Sequence, residues 1–310
     1  MKRYLDFTLS GKEFFPIWVI FFILFILPYT AAVYQIQQAY PEPRAIAWYV
    51  AVMIVLVIIA VILTYYITRL LISRTAFDGN VLVFNGTLGK FLGIFFLGLL
   101  LTIITLGIYS PWFVRNIQRF FVGETQLKKE NFKFLGEGGK LFVIALLALI
   151  LPMAILTIIF GKSFMTQELT VSPTKALYNL LTTFVLIPYY YFVYKWLVDI
   201  QYKKYHICWE TEFWPSFGKI LVEFILVVIT VGIYMPAAMV KLYGWFAQRT
   251  VAKSEEKNLR FGYELEAGKD FLFIWGQVLL SIITITIYLP WAYAKIGKRI
   301  LSKTYLAEDK

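Results

Sequence analysis

An all-α, polytopic membrane protein with internal repeats is the fold class predicted by this 310-residue chain, and three observations predict it. Seven apolar segments of helical type recur along the chain, one helix-breaking ending is written three times, and the basic residues are distributed as they are beside a membrane. Hydrophobic residues make up 60% of the sequence and charged residues only 16%, with a mean hydropathy of +0.70. That balance excludes an ordinary water-soluble domain.

The apolar segments lie at 14–33, 45–67, 91–109, 141–160, 177–197, 220–234 and 271–288; a hydrocarbon core of about 30 Å takes roughly 20 helical residues to cross. The first follows Lys2 and Arg3, but it is too long and too aromatic for the apolar region of a cleaved signal, and it reads as a retained helix. Between segments lie FDGNVLVFNGTLGK (77–90), FKFLGEGGK (132–140) and LRFGYELEAGK (259–269). They lack the spacing of a phosphate-binding loop and read as short glycine-rich cytoplasmic turns or short hairpins, with aromatic residues capping that face.

The repeated ending is LTIITLGIYSPW (101–112), LVVITVGIYMPA (226–237) and LSIITITIYLPW (280–291). Its residues are Thr105, Gly107, Tyr109, Pro111 and Trp112 in the first copy, Thr230, Gly232, Tyr234 and Pro236 in the second, and Thr284, Tyr288, Pro290 and Trp291 in the third. Glycine frees the backbone and proline removes a donor, so each copy breaks or sharply kinks its helix, near Tyr109 in the first. The threonine hydroxyls are placed to bond the freed carbonyls. Residues 111–122 and 290–303 then read as new amphipathic helices. Arg115 and Arg119, Lys241, and Lys295, Lys298 and Arg299 are expected at lipid headgroups. Residues 181–195 align with 101–115 without a gap, as a copy that has lost its glycine and Pro-Trp. One membrane domain, 1–310, therefore divides into an N-terminal helical hairpin, 1–76, and a repeat region, 77–310, of approximate units 77–130, 131–205, 206–257 and 258–305.

The aromatic, glycine-rich opening, the TLGIYSPW ending and the aromatic-basic tract after it resemble the YjgN family of bacterial inner-membrane proteins, from about residue 77 to the C-terminus. Ala237 stands where that pattern has Trp, and Thr286 where it has Gly. The resemblance implies a multi-span protein of the bacterial inner membrane and carries over no catalytic residue.

Counting basic residues discriminates between topologies. With seven spans and the N-terminus inside, 14 of the 30 Lys and Arg fall inside, contrary to the positive-inside bias. With the three repeated endings as turning points of re-entrant units, 91–122, 220–249 and 271–303, four segments span and both termini are cytoplasmic. Arg44, Lys162 and Lys175 alone are then outside, leaving 27 inside. A kinked spanning helix is the alternative.

Polar chemistry within the apolar segments is sparse. Glu223 sits four residues after Lys219, on one helical face, and Lys195 stands likewise to Asp199. Together Glu223, Lys219 and Lys195 form the candidate intramembrane polar site. One cysteine, Cys208, and one histidine, His206, supply too few ligands for a metal, and no cofactor motif is present. Nor is there an HExxH, Gly-x-Ser-x-Gly or Walker sequence, so no enzyme is expected. The net charge of +11 is read as attraction to anionic lipid headgroups rather than nucleic acid, and self-association is left open. Two functions fit: a small-solute or ion transporter built on broken helices, which is favoured, and a membrane module that binds anionic lipid or a partner protein. They differ in whether Glu223, the threonines and the Lys195 region form one continuous polar path.

Overall fold

The computed structural model describes residues 2–38, 43–165 and 173–309, and it overturns the all-α expectation. A third kind of element is present: β1 (Arg3–Phe7), β2 (Thr75–Phe77), β3 (Asn80–Val81), β4 (Val83–Phe84), β5 (Thr125–Leu127), β6 (Glu130–Phe134), β7 (Ile200–Tyr202), β8 (Tyr205–Trp209), β9 (Thr250–Lys253), β10 (Leu259–Tyr263) and β11 (Thr304–Glu308). They form one antiparallel sheet in the order β3-β2-β1-β11-β10-β9-β8-β7-β6-β5-β4. The glycine-rich segments read as turns or short hairpins supply β3, β4 and β10 and most of β6. They alternate aromatic and polar residues, as in Phe132-Lys133-Phe134, over too few residues for a periodic signal.

The two sheet edges, β3 and β4, are consecutive in the chain and separated by Leu82, whose N–H donates to the Thr75 carbonyl at 2.9 Å. The sheet therefore runs almost fully round into a barrel. On one face Phe77, Ala252, Leu259, Phe261 and Leu306 pack together, and Phe132 stacks on Tyr202 at 4.6 Å. The other face carries exposed Lys133 and His206. Tight turns at one rim use left-handed residues, among them Asp78, Gly79, Lys128 and Lys129.

From the opposite rim the chain leaves as helix and returns as helix. The first excursion comprises α1 (Gly11–Phe21), a π-helical turn (Phe22–Ile26), α2 (Leu27–Gln38) and α3 (Pro43–Ser73). The second is α4 (Leu88–Ile104) and α5 (Ser110–Gly123), and the third is α6 (Gly138–Ala145), a π-helical turn (Leu146–Ile150), α7 (Leu151–Met165) and α8 (Pro173–Leu197). The fourth is α9 (Phe213–Ile229) and α10 (Met235–Gln248), the fifth α11 (Ala267–Ile283) and α12 (Leu289–Leu301). Each follows a strand pair, and the pair preceding α1 is β11 with β1, brought from the two ends of the described chain. Five structural units thus close a ring in which α12 packs on α1.

Each unit opens alike. A buried aromatic ends the strand, Phe7, Phe84, Phe134, Trp209 or Tyr263, and the helix begins four residues later. In two units the ring folds over a glycine two residues on: a Cβ at Gly86 would stand 2.5 Å from the Phe84 ring, and one at Gly136 would stand 2.4 Å from that of Phe134. Ser10 caps α1 in a reciprocal box with Glu13, and Thr87 caps α4.

Four helices are long and apolar enough to cross a membrane: Gly11–Gln35, Trp48–Ser73, Gly138–Gly161 and Pro173–Leu197. They lie over the four spans read from the basic-residue count. The far connections of that reading, at 39–42 and 166–172, lie outside the described residues. α8 passes straight through the stretch read as a degenerate copy of the ending, with Pro188 inside it. The excursions through α4, α9 and α11 are shorter, about 25 Å of outgoing helix each at 1.5 Å per residue.

Closure rests on β11, where Leu306 is 7% exposed and faces Arg3 and Phe261 across its two ladders. Leu306→Ala should destabilise the fold by about 2–5 kcal/mol. The measurement is thermal unfolding in detergent, where an exposed change such as Lys133→Ala is expected to leave the midpoint unmoved.

Candidate functional site

At the repeated ending the helix stops and the chain reverses. α4 ends at Ile104, five residues before Tyr109, and α5 runs back along it with Phe113 against Gly98, where a Cβ would stand 2.1 Å from the ring. This is a hairpin, not a kinked helix. Leu106 and Gly107 take φ of 51° and 93°, and the Gly107 N–H donates to the Thr102 carbonyl at 2.7 Å, a Schellman-type closure. The Thr105 hydroxyl donates to the Leu101 carbonyl at 2.8 Å and accepts from the Tyr109 N–H at 3.0 Å, joining both arms. Thr230 and Thr284 make the same two bonds. Pro111, Pro236 and Pro290 occupy the first turn of each returning arm, where a missing N–H costs nothing. Hairpin tips are apolar and bare: Leu106 is 94% exposed, Val231 90% and Ile285 82%.

Beneath each tip a polar lane follows. The tyrosine hydroxyl accepts a bond from the residue seven positions on: Asn116 to Tyr109 at 3.3 Å, Lys241 to Tyr234 at 2.7 Å and Lys295 to Tyr288 at 2.8 Å. Tyr109 stacks on Trp112 and Tyr288 on Trp291. Those tryptophans cover the first-turn glycine of the next unit, Gly138 and Gly11, where a Cβ would stand 2.5 and 2.3 Å from the indole.

Lys219 and Glu223 pair as expected, at 2.5 Å, with the carboxylate side chain 3% exposed. Its Oε2 has no hydrogen-bond partner. Lys195 does not join them. It is exposed near the barrel end of α8, and Asp199 bonds His206 at 2.8 Å instead.

The expected headgroup residues divide. Arg119 and Lys298 are exposed, while Arg115 bonds Asn116 at 2.9 Å. Arg299 is turned toward α11: its Nε stands 2.7 Å from Asp270 and its guanidinium lies over Phe273. Asp270, 1% exposed, also accepts from Lys303 at 2.7 Å, the Glu266 N–H at 3.1 Å and Tyr263 at 3.2 Å. A buried carboxylate is tolerated because each charge there is matched. This cluster pins α11, α12 and β10 together. Sequence reading passed over it because Asp270 sits one residue before its apolar segment; the signal was an acidic residue in a first turn otherwise marked by Gly-Lys.

First-turn lysines recur in four of the five units: Lys12, Lys90, Lys140 and Lys269 are all exposed, one in the opening turn of α1, α4, α6 and α11, and the last three meet Glu124, Glu137 and Glu266.

These features define a membrane protein whose helical hairpins are carried on a small barrel. The chain belongs to the family described as bacterial proteins of unknown function (DUF898), which matches residues 79–250. Among curated proteins it is similar to the inner membrane protein YjgN of Salmonella typhimurium strain LT2, 36% identical over 88 residues, which are 28% of this chain and 22% of that protein. It is likewise similar to inner membrane protein YjgN of Escherichia coli strain K12, 36% identical over 74 residues, 24% of this chain and 19% of that protein. The matches thus span about a fifth of these relatives. No solved structure matches the chain.

Two predictions concern these hairpins. Thr286, at φ 66°, occupies the left-handed position that glycine holds in the other two turns. Relief of a strain of about 1–2 kcal/mol makes Thr286→Gly neutral to stabilising, and Gly107→Thr destabilising by a similar amount, in thermal melts. Hydrogen bonds from Lys269 and Lys303 hold the exposed Glu266 carboxyl at about 2, below its ordinary 4.5. Its contribution is therefore complete above pH 4.5 and is lost as pH falls toward about 2. The difference in melting temperature between wild type and Glu266→Gln should close over that interval.

Proposed function

We propose that this chain is a non-catalytic module of the bacterial inner membrane that binds anionic phospholipid. Its barrel and both termini lie in the cytoplasm, four helices span, and the hairpins at α4, α9 and α11 are re-entrant units. The bare apolar tips support the re-entrant placement, because Leu106, Val231 and Ile285 are stable when exposed only in a hydrocarbon medium. The observation that carries the lipid reading is the set of first-turn lysines at the barrel rim, the depth at which headgroups meet such a structure. The basic-residue count agrees, since re-entrant hairpins leave only Arg44, Lys162 and Lys175 of the 30 for the far side of the membrane.

A transport reading has one observation in its favour, the buried and unpartnered Oε2 of Glu223. The continuous path that would serve it needs the threonine hydroxyls and Lys195. The threonine hydroxyls are spent within the turns, and Lys195 stands apart on α8.

Anionic phospholipid added back to delipidated protein should raise its melting temperature more than zwitterionic lipid does, and an equal rise would remove the lipid reading. In a Cys208→Ser background, cysteine at Asp78 or Ser254 should react with an impermeant maleimide only in inverted vesicles. Cysteine at Leu106 should react from neither side; labelling there in intact cells would overturn the re-entrant placement. Proton flux through wild-type liposomes that Glu223→Gln abolishes would restore the transport reading.

A further inference from the structure

An apolar cavity of about 560 Å³ opens between the arms of the third excursion. Ala148 and Pro152 line one side, and Leu181, Phe184, Pro188 and Phe192 the other; every lining side chain is hydrocarbon. The helices are shaped to leave this space. The π-helical turn 146–150 and Pro152 interrupt the regular hydrogen-bond ladder of one arm, and Pro188 that of the other. The first excursion shares the π-helical turn, followed by Pro28, but α3 has no proline beyond its first residue.

Length and charge indicate what fits. From Phe192 to Leu181 the lining runs roughly 17 Å at the rise of an α-helix, close to the half-thickness of a core of about 30 Å. At the barrel end the lining stripe of each arm continues into a lysine: Lys140 lies three residues before Val143, and Lys195 three after Phe192 and seven after Pro188. The Trp196 indole N–H donates to the Glu137 carbonyl at 2.9 Å, tying those two ends together. Both lysines are exposed. Lys140 meets Glu137 at only 3.6 Å, an exposed pair that water screens.

We propose that this groove is a phospholipid site. One acyl chain of an anionic glycerophospholipid from the barrel-side leaflet fills the cavity, and its phosphate lies between Lys140 and Lys195. The assignment deepens the lipid-binding reading above and rests on its membrane placement.

The test is native mass spectrometry of protein released from nanodiscs holding equal anionic and zwitterionic phospholipid. Wild type is expected to retain one lipid, enriched in the anionic class. Ala148→Trp fills the groove and should lower retention at least about tenfold, a difference readily read as affinity. Should that variant fail to fold, Val185→Phe is read in its place. Lys140→Gln with Lys195→Gln should erase the anionic enrichment, while Lys128→Gln with Lys133→Gln, on the barrel, should leave it unchanged. Full retention in a folded groove-filling variant would overturn the site, as would enrichment that survives loss of both lysines. If the protein keeps its anionic preference while the groove variants behave as wild type, the groove fails and the rim reading stands. Absence of any anionic preference in wild type defeats both.

Discussion

The edge of a β-sheet is a row of unpaired N–H and C=O groups, and here the satisfaction of that row by closure supports every other element. Strands of two to five residues have little stability alone. Joined as a ring, they share one apolar face and give each helical excursion two fixed feet on the same rim. The aromatic that ends each strand, from Phe7 round to Tyr263, fills the joint between strand and helix. The Asp270 cluster performs the same task with charge, holding the last excursion to the strand that feeds it.

Helices were legible and strands were not, for a physical reason. A spanning helix declares itself over about 20 residues of one character, whereas β3 or β7 offers two or three residues. Glycine misled in a specific way. Gly86 and Gly136 looked like turn residues, yet they are small because an aromatic ring lies across them. Gly107 and Gly232, by contrast, stand where the helix stops, and positive φ is what glycine supplies there. Of the polar residues, the Lys219–Glu223 pair was visible as an i, i+4 spacing on one helix. The Asp270–Arg299 contact joins residues on two helices and required the hairpin to be known first.

The two departures from the repeated ending also acquire reasons. Trp112 and Trp291 each cover the opening glycine of a long excursion, Gly138 and Gly11. α10 is followed instead by the short excursion of α11, and the corresponding Ala237 is itself buried. Side-chain size at this position therefore follows the neighbour. Thr286 tolerates a left-handed backbone because the turn around it is fixed by the Thr284 bonds to both arms.

The pairing of β1 with β11 has a consequence for biosynthesis. Ribosomes deliver Arg3–Phe7 early, but the residues that complete its ladder, Tyr305 and Leu306, emerge only after all five excursions have been made. Until then one flank of β1 stays open, and the first helices must enter the bilayer on an unfinished base. Any nascent chain that stalls before β11 keeps that flank as an open row of donors and acceptors, a template for pairing with another chain; translation past Leu306 covers it.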